Sequence, residues 1–140
     1  MTQIRDSLEQ VTGDPDGRYA FRTSPLRNIA LQPTFFHNGS FTSLELAIRH
    51  HLNAVASANA YDPTTAGVDV DLRGPMGPLA SVLLRPDPLM QTPIVLTEDE
   101  IAALVAFVRD GLHDKRATAH ELRKLLRSRL PSGRPAHVFQ

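Results

Sequence analysis

The stretch FFHNGSFTSLELAIRHH, Phe35 to His51, holds three of the chain's six histidines, two of them adjacent. Asn38-Gly39 is a turn signal, and no alternating apolar segments flank it to make a hairpin of strands. Thr42 and Glu45 stand at capping-box spacing, hydroxyl to the third backbone N–H and carboxylate back to the first. Leu44, Ala47, Ile48, Leu52 and Val55 then recur with helical period. At 100° per residue His51 falls inside that stripe and His50 outside it. The expectation is a turn followed by a helix, with His51 facing the core or a ligand and His50 facing rim or solvent. From the residues alone, His51 is either a buried histidine bonded to backbone or a ligand. His37 is either a locally bonded turn residue or part of a pocket.

Two further helices follow from the same signals. In LTEDEIAALVAFVRDGL, Thr97 and Glu100 form a second capping box, and Glu98, Asp99 and Glu100 put negative charge on the first turn, which favours the helix dipole. Ile101, Leu104, Val105, Val108 and Leu112 make the apolar stripe, and Gly111 sits near the end. Thr118 with Glu121 opens a third helix carrying Leu122, Leu125, Leu126 and Leu130, closed by Pro131. Arg123, Lys124, Arg127 and Arg129 read as its solvated face.

The rest is irregular. Residues 1 to 25 contain TGDPDG, which is turn chemistry, and Ser24-Pro25 favours extended backbone. Pro25 to Phe36 is apolar but aperiodic and reads as a buried irregular strip. From Asn59 to Pro93 the prolines and glycines break every pattern, with one short helical turn expected near Leu79 to Leu84. A connection this long is uncommon unless it wraps a site or a partner. The fold class expected is mainly α, one partial domain over 1–140, its helices joined by long Pro/Gly-rich irregular segments.

Composition narrows the function classes. The chain has 140 residues, 15 basic and 15 acidic, so its charge balance points to neither nucleic acid nor anionic lipid. No apolar run approaches the ~20 residues that span a bilayer. MTQIRDSLEQ has no apolar h-region and reads as lacking a signal peptide. With no cysteine there is no disulfide, no thiolate nucleophile and no cysteine-ligated zinc.

The block FRTSPLRNIALQPTFFHNGSFTSLELAIRHH resembles the second haem domain of bacterial dihaem cytochrome c peroxidases and their methylamine-utilisation (MauG-type) relatives. The pattern there is a Phe-Lys/Arg-Thr-Pro-x-Leu-Arg-Asn run, a Phe/Tyr-x-His-Asp/Asn-Gly turn and a Thr-Leu-Glu-x-Ala helix. LTEDEIAALVAFVRDGL resembles the closing helix of that domain, and the likeness runs from about Tyr19 to the C-terminus. Thr23-Ser24-Pro25 carries one residue more than the family's Thr-Pro. The Cys-x-x-Cys-His motif that attaches haem is missing, as is the first haem domain. The resemblance therefore implies a partial cytochrome c-like domain, the C-terminal portion of a larger oxidoreductase, unable by itself to attach haem c or act as a peroxidase.

The resemblance also implies roles. His51 takes the position of the second axial ligand of the electron-transfer haem, which is Met in the peroxidases and Tyr in MauG-type proteins. His37 matches the histidine of the turn, near the haem. Arg27 matches the arginine of the Leu-Arg-Asn run, a partner for a haem propionate because guanidinium binds carboxylate bidentately. A calcium ion in the family is held partly by backbone carbonyls that map to Gln32 and Thr34, and calcium accepts carbonyl oxygen whatever the side chain. The implied partners are the missing N-terminal haem domains and an electron-donor protein, and the implied compartment is the periplasm. Met76 and Met90 are thioether-bearing residues off the family's ligand position. Two other readings compete: a haem-free helical module or remnant that needs a partner chain, and a histidine-only metal site of His37, His50 and His51. The last is disfavoured because adjacent helical residues point about 100° apart.

Overall fold

A computed structural model describes residues 8–75, 77, 79–125 and 131–134. Seven α-helices are present among them: α1 (Leu8–Thr12), α2 (Leu44–Leu52), α3 (Ala54–Asn59), α4 (Leu79–Leu83), α5 (Pro88–Gln91), α6 (Glu98–Ala106) and α7 (Ala119–Arg123). Short 3-10 turns lie at Pro15–Gly17, Ile29–Leu31, Val70–Leu72 and Lys115–Ala117. No strand forms among the described residues, and the nearest approach is an isolated antiparallel bridge between Phe35 and Phe41. The fold is mainly α.

The bridge organises the core. Phe35 donates its N–H to the Phe41 carbonyl at 2.8 Å. Gly39 takes φ +68 to close the turn between them, a conformation open to residues without a Cβ. The turn sends Phe35 and Phe41 inward, where they meet Ala47 of α2 and Ala66, with Ile29, Leu44, Leu46, Tyr61 and Val68 packed around them. A turn signal without strands therefore makes the centre of the domain.

Thr42 does not cap α2. Its hydroxyl and its N–H both donate to the Ala66 carbonyl, at 3.0 and 3.2 Å. Ser43 is the N-cap instead, accepting from the Leu46 N–H. The expected single helix also breaks at Asn53, whose backbone leaves the helical region at φ −152, ψ 76. Its side chain accepts from the Ala56 N–H and so starts α3. Val55 thus belongs to a different helix from Leu44 and Ala47.

The strongest helix forms as expected at its start. Thr97 accepts from the Glu100 N–H while the Glu100 carboxylate accepts from the Thr97 N–H, a complete capping box. After Ala106 the backbone widens into a π-helical turn, Phe107–Gly111. Ile101 and Val108 are buried, and Leu104, Val105 and Leu112 are half-buried. α6 packs on α2, and the turn Ile29–Leu31 packs on the π-helical turn. Asn28, at φ +62, fastens this junction: its N–H donates to the Leu112 carbonyl, and its side-chain oxygen accepts from the Asp114 N–H.

Several expectations are corrected. Residues 1 to 25 include α1, and Asp87-Pro88 starts α5 rather than only interrupting: Asp87 accepts from the Leu89 N–H with proline at the first helical position. The short helix α4 appears near the expected place. Pro25 to Phe36 is not a buried strip. Leu26 is 55% exposed and Leu31 is 50% exposed, and only Phe35 is buried. Ile29 packs on the core and the turn Ile29–Leu31 on the π-helical turn, while Leu26 and Leu31 stay exposed. Thr118 caps α7, but Leu126, Leu130, Arg127 and Arg129 lie outside the described residues, as do Met76 and His137. No described helix is long and apolar enough to cross a membrane.

Candidate functional site

α2 and the preceding turn bring His50, His51, Phe36 and Phe41 together. Phe36 holds φ +66 in the turn, and its ring lies 5.3 Å from His51 at an interplanar angle of 17°. The same ring meets His50 edge-to-face at 5.0 Å and 72°. Phe41 continues the cluster at 5.6 Å from His50 and 5.3 Å from Tyr61. The Tyr61 hydroxyl donates to the Ser40 carbonyl at 2.7 Å.

Of the two histidines, His51 is exposed rather than facing the core, and His50 is half-buried rather than facing solvent. The stripe drawn through Ile48 and Val55 leaves out Leu46, which packs on the core, and includes Val55, which lies beyond the break at Asn53. With Leu46 and Ala47 facing inward, the next residue on that face is His50, three and four positions on. Burial, and then the neighbouring His51, pull the His50 pKa below the usual imidazole value, so His50 stays neutral further into acid. Its Nδ1 lies 3.0 Å from the Ser57 hydroxyl of α3.

The tautomer of His51 follows from one contact. Nδ1 lies 2.8 Å from the Ala47 carbonyl, one helical turn back. A carbonyl only accepts, so Nδ1 carries a proton, and in the neutral ring Nε2 carries the lone pair. That is the arrangement in which metal-ligating histidines are found: one nitrogen donates to a backbone carbonyl and the other holds the metal. The result is an exposed imidazole with its tautomer set by backbone and one face covered by an aromatic ring. The sequence contains no cysteine and so no thioether attachment point for haem c.

The other sequence-predicted residues are placed as follows. His37 is exposed and stacks on Phe21, ring centroids 3.9 Å apart and 15° from parallel. Arg27 is engaged with Asp114, Nη2 to Oδ2 at 3.0 Å, its side chain 68% exposed. Arg116 shares the same carboxylate and holds Asp114 well below the usual carboxylate range. Gln32 and Thr34 are exposed, and neither carbonyl accepts a backbone hydrogen bond among the described residues. Met90 lies within α5 and is half-buried. Among the described residues no group of three or more His, Cys, Asp or Glu could hold a metal ion, so His37, His50 and His51 do not converge.

A separate groove of about 390 Å3 runs between α2 and α6, lined by Glu45, Arg49, Glu98, Ile101, Ala102, Val105 and Arg109. None of the sequence-predicted site residues lines it. Sequence reasoning missed Phe36, Ser57 and Phe21. Ser57 lies seven residues after His50, a helical spacing, but the break at Asn53 hides that signal. Phe21 and Phe36 lie outside any periodic pattern that would pair them with a histidine. No protein-family model, curated protein or solved structure matches the chain.

Proposed function

We propose that this chain forms the C-terminal part of the electron-transfer haem domain of a dihaem cytochrome c peroxidase-like oxidoreductase, with His51 as the second axial donor. The observation that carries the reading is the Nδ1–H of His51 on the Ala47 carbonyl, which leaves Nε2 as an outward lone pair. Haem, when bound, supplies the one-electron chemistry, and the protein sets ligation and burial. His51 donates, Phe36 covers one face of its ring, and the stacked Phe21–His37 pair adds aromatic surface at the adjoining turn. The remaining donors of the Arg27 guanidinium suit a propionate, in competition with Asp114. The Gln32 and Thr34 carbonyls suit a hard cation such as calcium. In this reading the opposing histidine, the haem attachment and the peroxidatic haem come from other haem-bearing segments, the electron from a donor protein, and the compartment is the periplasm.

The test supplies the missing half. A c-type haem peptide bearing Cys-x-x-Cys-His leaves one axial position open. Titrating the purified chain into it should give a saturable bis-imidazole low-spin spectrum. His51→Ala should abolish that spectrum and His50→Ala should keep it. No spectral change, or dependence on His50 alone, sinks the reading.

A second reading, a haem-free helical module that needs a partner chain, draws on a different observation. Val70, Leu72, Leu84, Leu89 and Val95 are each at least 70% exposed along one connection. The same titration separates the two, since a haem-free module gives no saturable low-spin spectrum.

A further inference from the structure

We propose that Phe36 is the positioning residue of the histidine pair, sorting two adjacent imidazoles into one outward-facing donor and one anchored ring. The inference rests on the reading of His51 as the axial donor. Two neighbouring histidines offer the same chemistry to anything that approaches α2, and a rotation of about 100° exchanges them. Something must fix which one faces out.

Phe36 meets both rings and treats them differently. It lies nearly flat on His51 and edge-to-face with His50. The flat stack limits rotation of the His51 ring, while the Ala47 carbonyl fixes which of its nitrogens is protonated. On the other side His50 is held by Ser57 at Nδ1 and by Phe41 at 5.6 Å. His50 therefore has three anchors pulling inward, and His51 has a cover on one face and a backbone tether.

The backbone of Phe36 is consistent with a placed ring. A φ of +66 is uncommon for a bulky residue and persists only where the surroundings over-determine it. Here Phe35 is buried just before it, the Phe35–Phe41 bridge closes around it, and its ring lies 5.3 Å from Phe41. The turn that builds the core thus also delivers the ring to the histidines.

The test reads imidazole accessibility in the whole chain, with no haem present. Limiting diethyl pyrocarbonate acylates accessible unprotonated imidazole nitrogen, and fragment-ion mass spectrometry resolves residues 50 and 51. His51 should label in preference to His50. Phe36→Asn removes the ring but keeps a residue type that tolerates positive φ. It should lower the His51:His50 ratio roughly two- to tenfold, the bias that aromatic pairing of this kind carries. Phe36→Tyr should restore the ratio. Ser57→Ala leaves the turn untouched and should move the ratio the same way, which keeps the test decisive if Phe36→Asn does not fold. Long-range 1H–15N spectra should find His51 protonated at Nδ1 in the parent chain and as a tautomer mixture in Phe36→Asn. Preferential labelling of His50 in the parent chain overturns the proposal. So does a ratio that neither variant moves, or a Phe36→Tyr chain that behaves like Phe36→Asn. A chain that sorts its imidazoles but gives no low-spin spectrum with the haem peptide keeps the sorting and loses the axial role.

Discussion

Arg49 in the last turn of α2 grips Glu98 in the first turn of α6 with both ends of its guanidinium, Nη1 to Oε1 at 3.1 Å and Nη2 to Oε2. Its Nε also donates to Glu45, one turn back, at 2.8 Å. The fork geometry makes this a two-point clamp between helices far apart in sequence. It stands beside the α2–α6 groove and next to the histidine pair in the chain. The groove's acidic rim is therefore part of how α2 is held in place.

The clamp gives a pH signature with a definite sign. The Arg49 hydrogen bond, and then its charge, hold Glu98 below the ordinary value of 4.5. A carboxylate depressed on folding contributes stability that is complete above its unfolded pKa and is lost as pH falls through the folded value. Glu98→Gln should lower the thermal midpoint by a few degrees at neutral pH. The gap should narrow as pH falls below 4.5 and close beneath the depressed folded value of Glu98. It should also shrink in 1 M salt, where the screening length falls to about 3 Å. A gap that stays constant with pH and salt would remove the clamp from the stability account.

Gly67 is the backbone position least able to change. It holds φ +79, and an added Cβ would clash with the Thr42 hydroxyl, the group that donates to Ala66. Gly13 has a similar φ of +73 with nothing within 4 Å. Gly13→Ala should cost about 1 kcal/mol, the left-handed penalty alone. Gly67→Ala should cost roughly 2–4 kcal/mol, because the clash adds to that penalty and displaces Thr42 from the core turn. Denaturant titration of both variants reads the difference, and equal costs would mean that Thr42 does not hold the turn.

These particulars also mark what the sequence discloses. Thr97 and Glu100 announce α6 because a capping box is local and nothing competes for either side chain. Thr42 and Glu45 have the same spacing and mislead, because the Ala66 carbonyl, 24 residues on, claims the Thr42 hydroxyl. His50 lies nearer the buried side of α2 than a wheel through Leu44, Ala47, Ile48 and Leu52 predicts, because Leu46 packs on the core beside Ala47. The break at Asn53, whose side chain accepts from the Ala56 N–H, separately hides the Ser57 contact. Periodicity finds the elements. The contacts that orient the candidate site, Phe36 on His51 and Ser57 on His50, cross from turn to helix and from helix to helix, and no local pattern carries them.

The cytochrome resemblance implies a partner helix for α6 that carries the absent haem motif, and hence an Ile101/Leu104/Val108 stripe either short of contacts or turned to another surface. Ile101 and Val108 are 6% and 7% exposed, and α6 packs on α2. The shortfall lies in the connection from Val70 to Val95, where Leu84, Leu89 and Val95 are 84%, 85% and 90% exposed. Each such side chain forgoes ~1.5–3 kcal/mol of burial, against a domain stability of only ~5–15 kcal/mol. The purified chain should unfold over a broad range and bind a hydrophobic dye before heating. Leu84→Lys with Leu89→Lys should reduce dye binding without lowering the midpoint. A sharp transition at high temperature, with no dye bound, would count against a partner-dependent fold.

The last prediction concerns His51 in a protein that carries this segment together with a Cys-x-x-Cys-His attachment motif. Without that motif the present chain should show no haem-staining band after denaturation, even when made alongside cytochrome c maturation machinery. On the proposed reading, His51 and the motif histidine would be the two imidazole ligands of such a protein. Imidazole lacks the potential-raising effect of a thioether, so the haem should have a lower reduction potential than one with Met at that position. His51→Met should raise the potential and change the low-spin signature. The substitution also removes the Nδ1–H bond to Ala47 and the flat stack on Phe36, so ligand field and ring placement are lost together. His50→Ala should leave the potential almost unchanged, because its ring is held inward by Ser57 and Phe41. Potentiometry with electron paramagnetic resonance on the three proteins separates the cases. If His51→Met moves neither observable, His51 is not the ligand. If His50→Ala alone abolishes the low-spin signal, the inward ring is the donor and the placement of the pair is wrong.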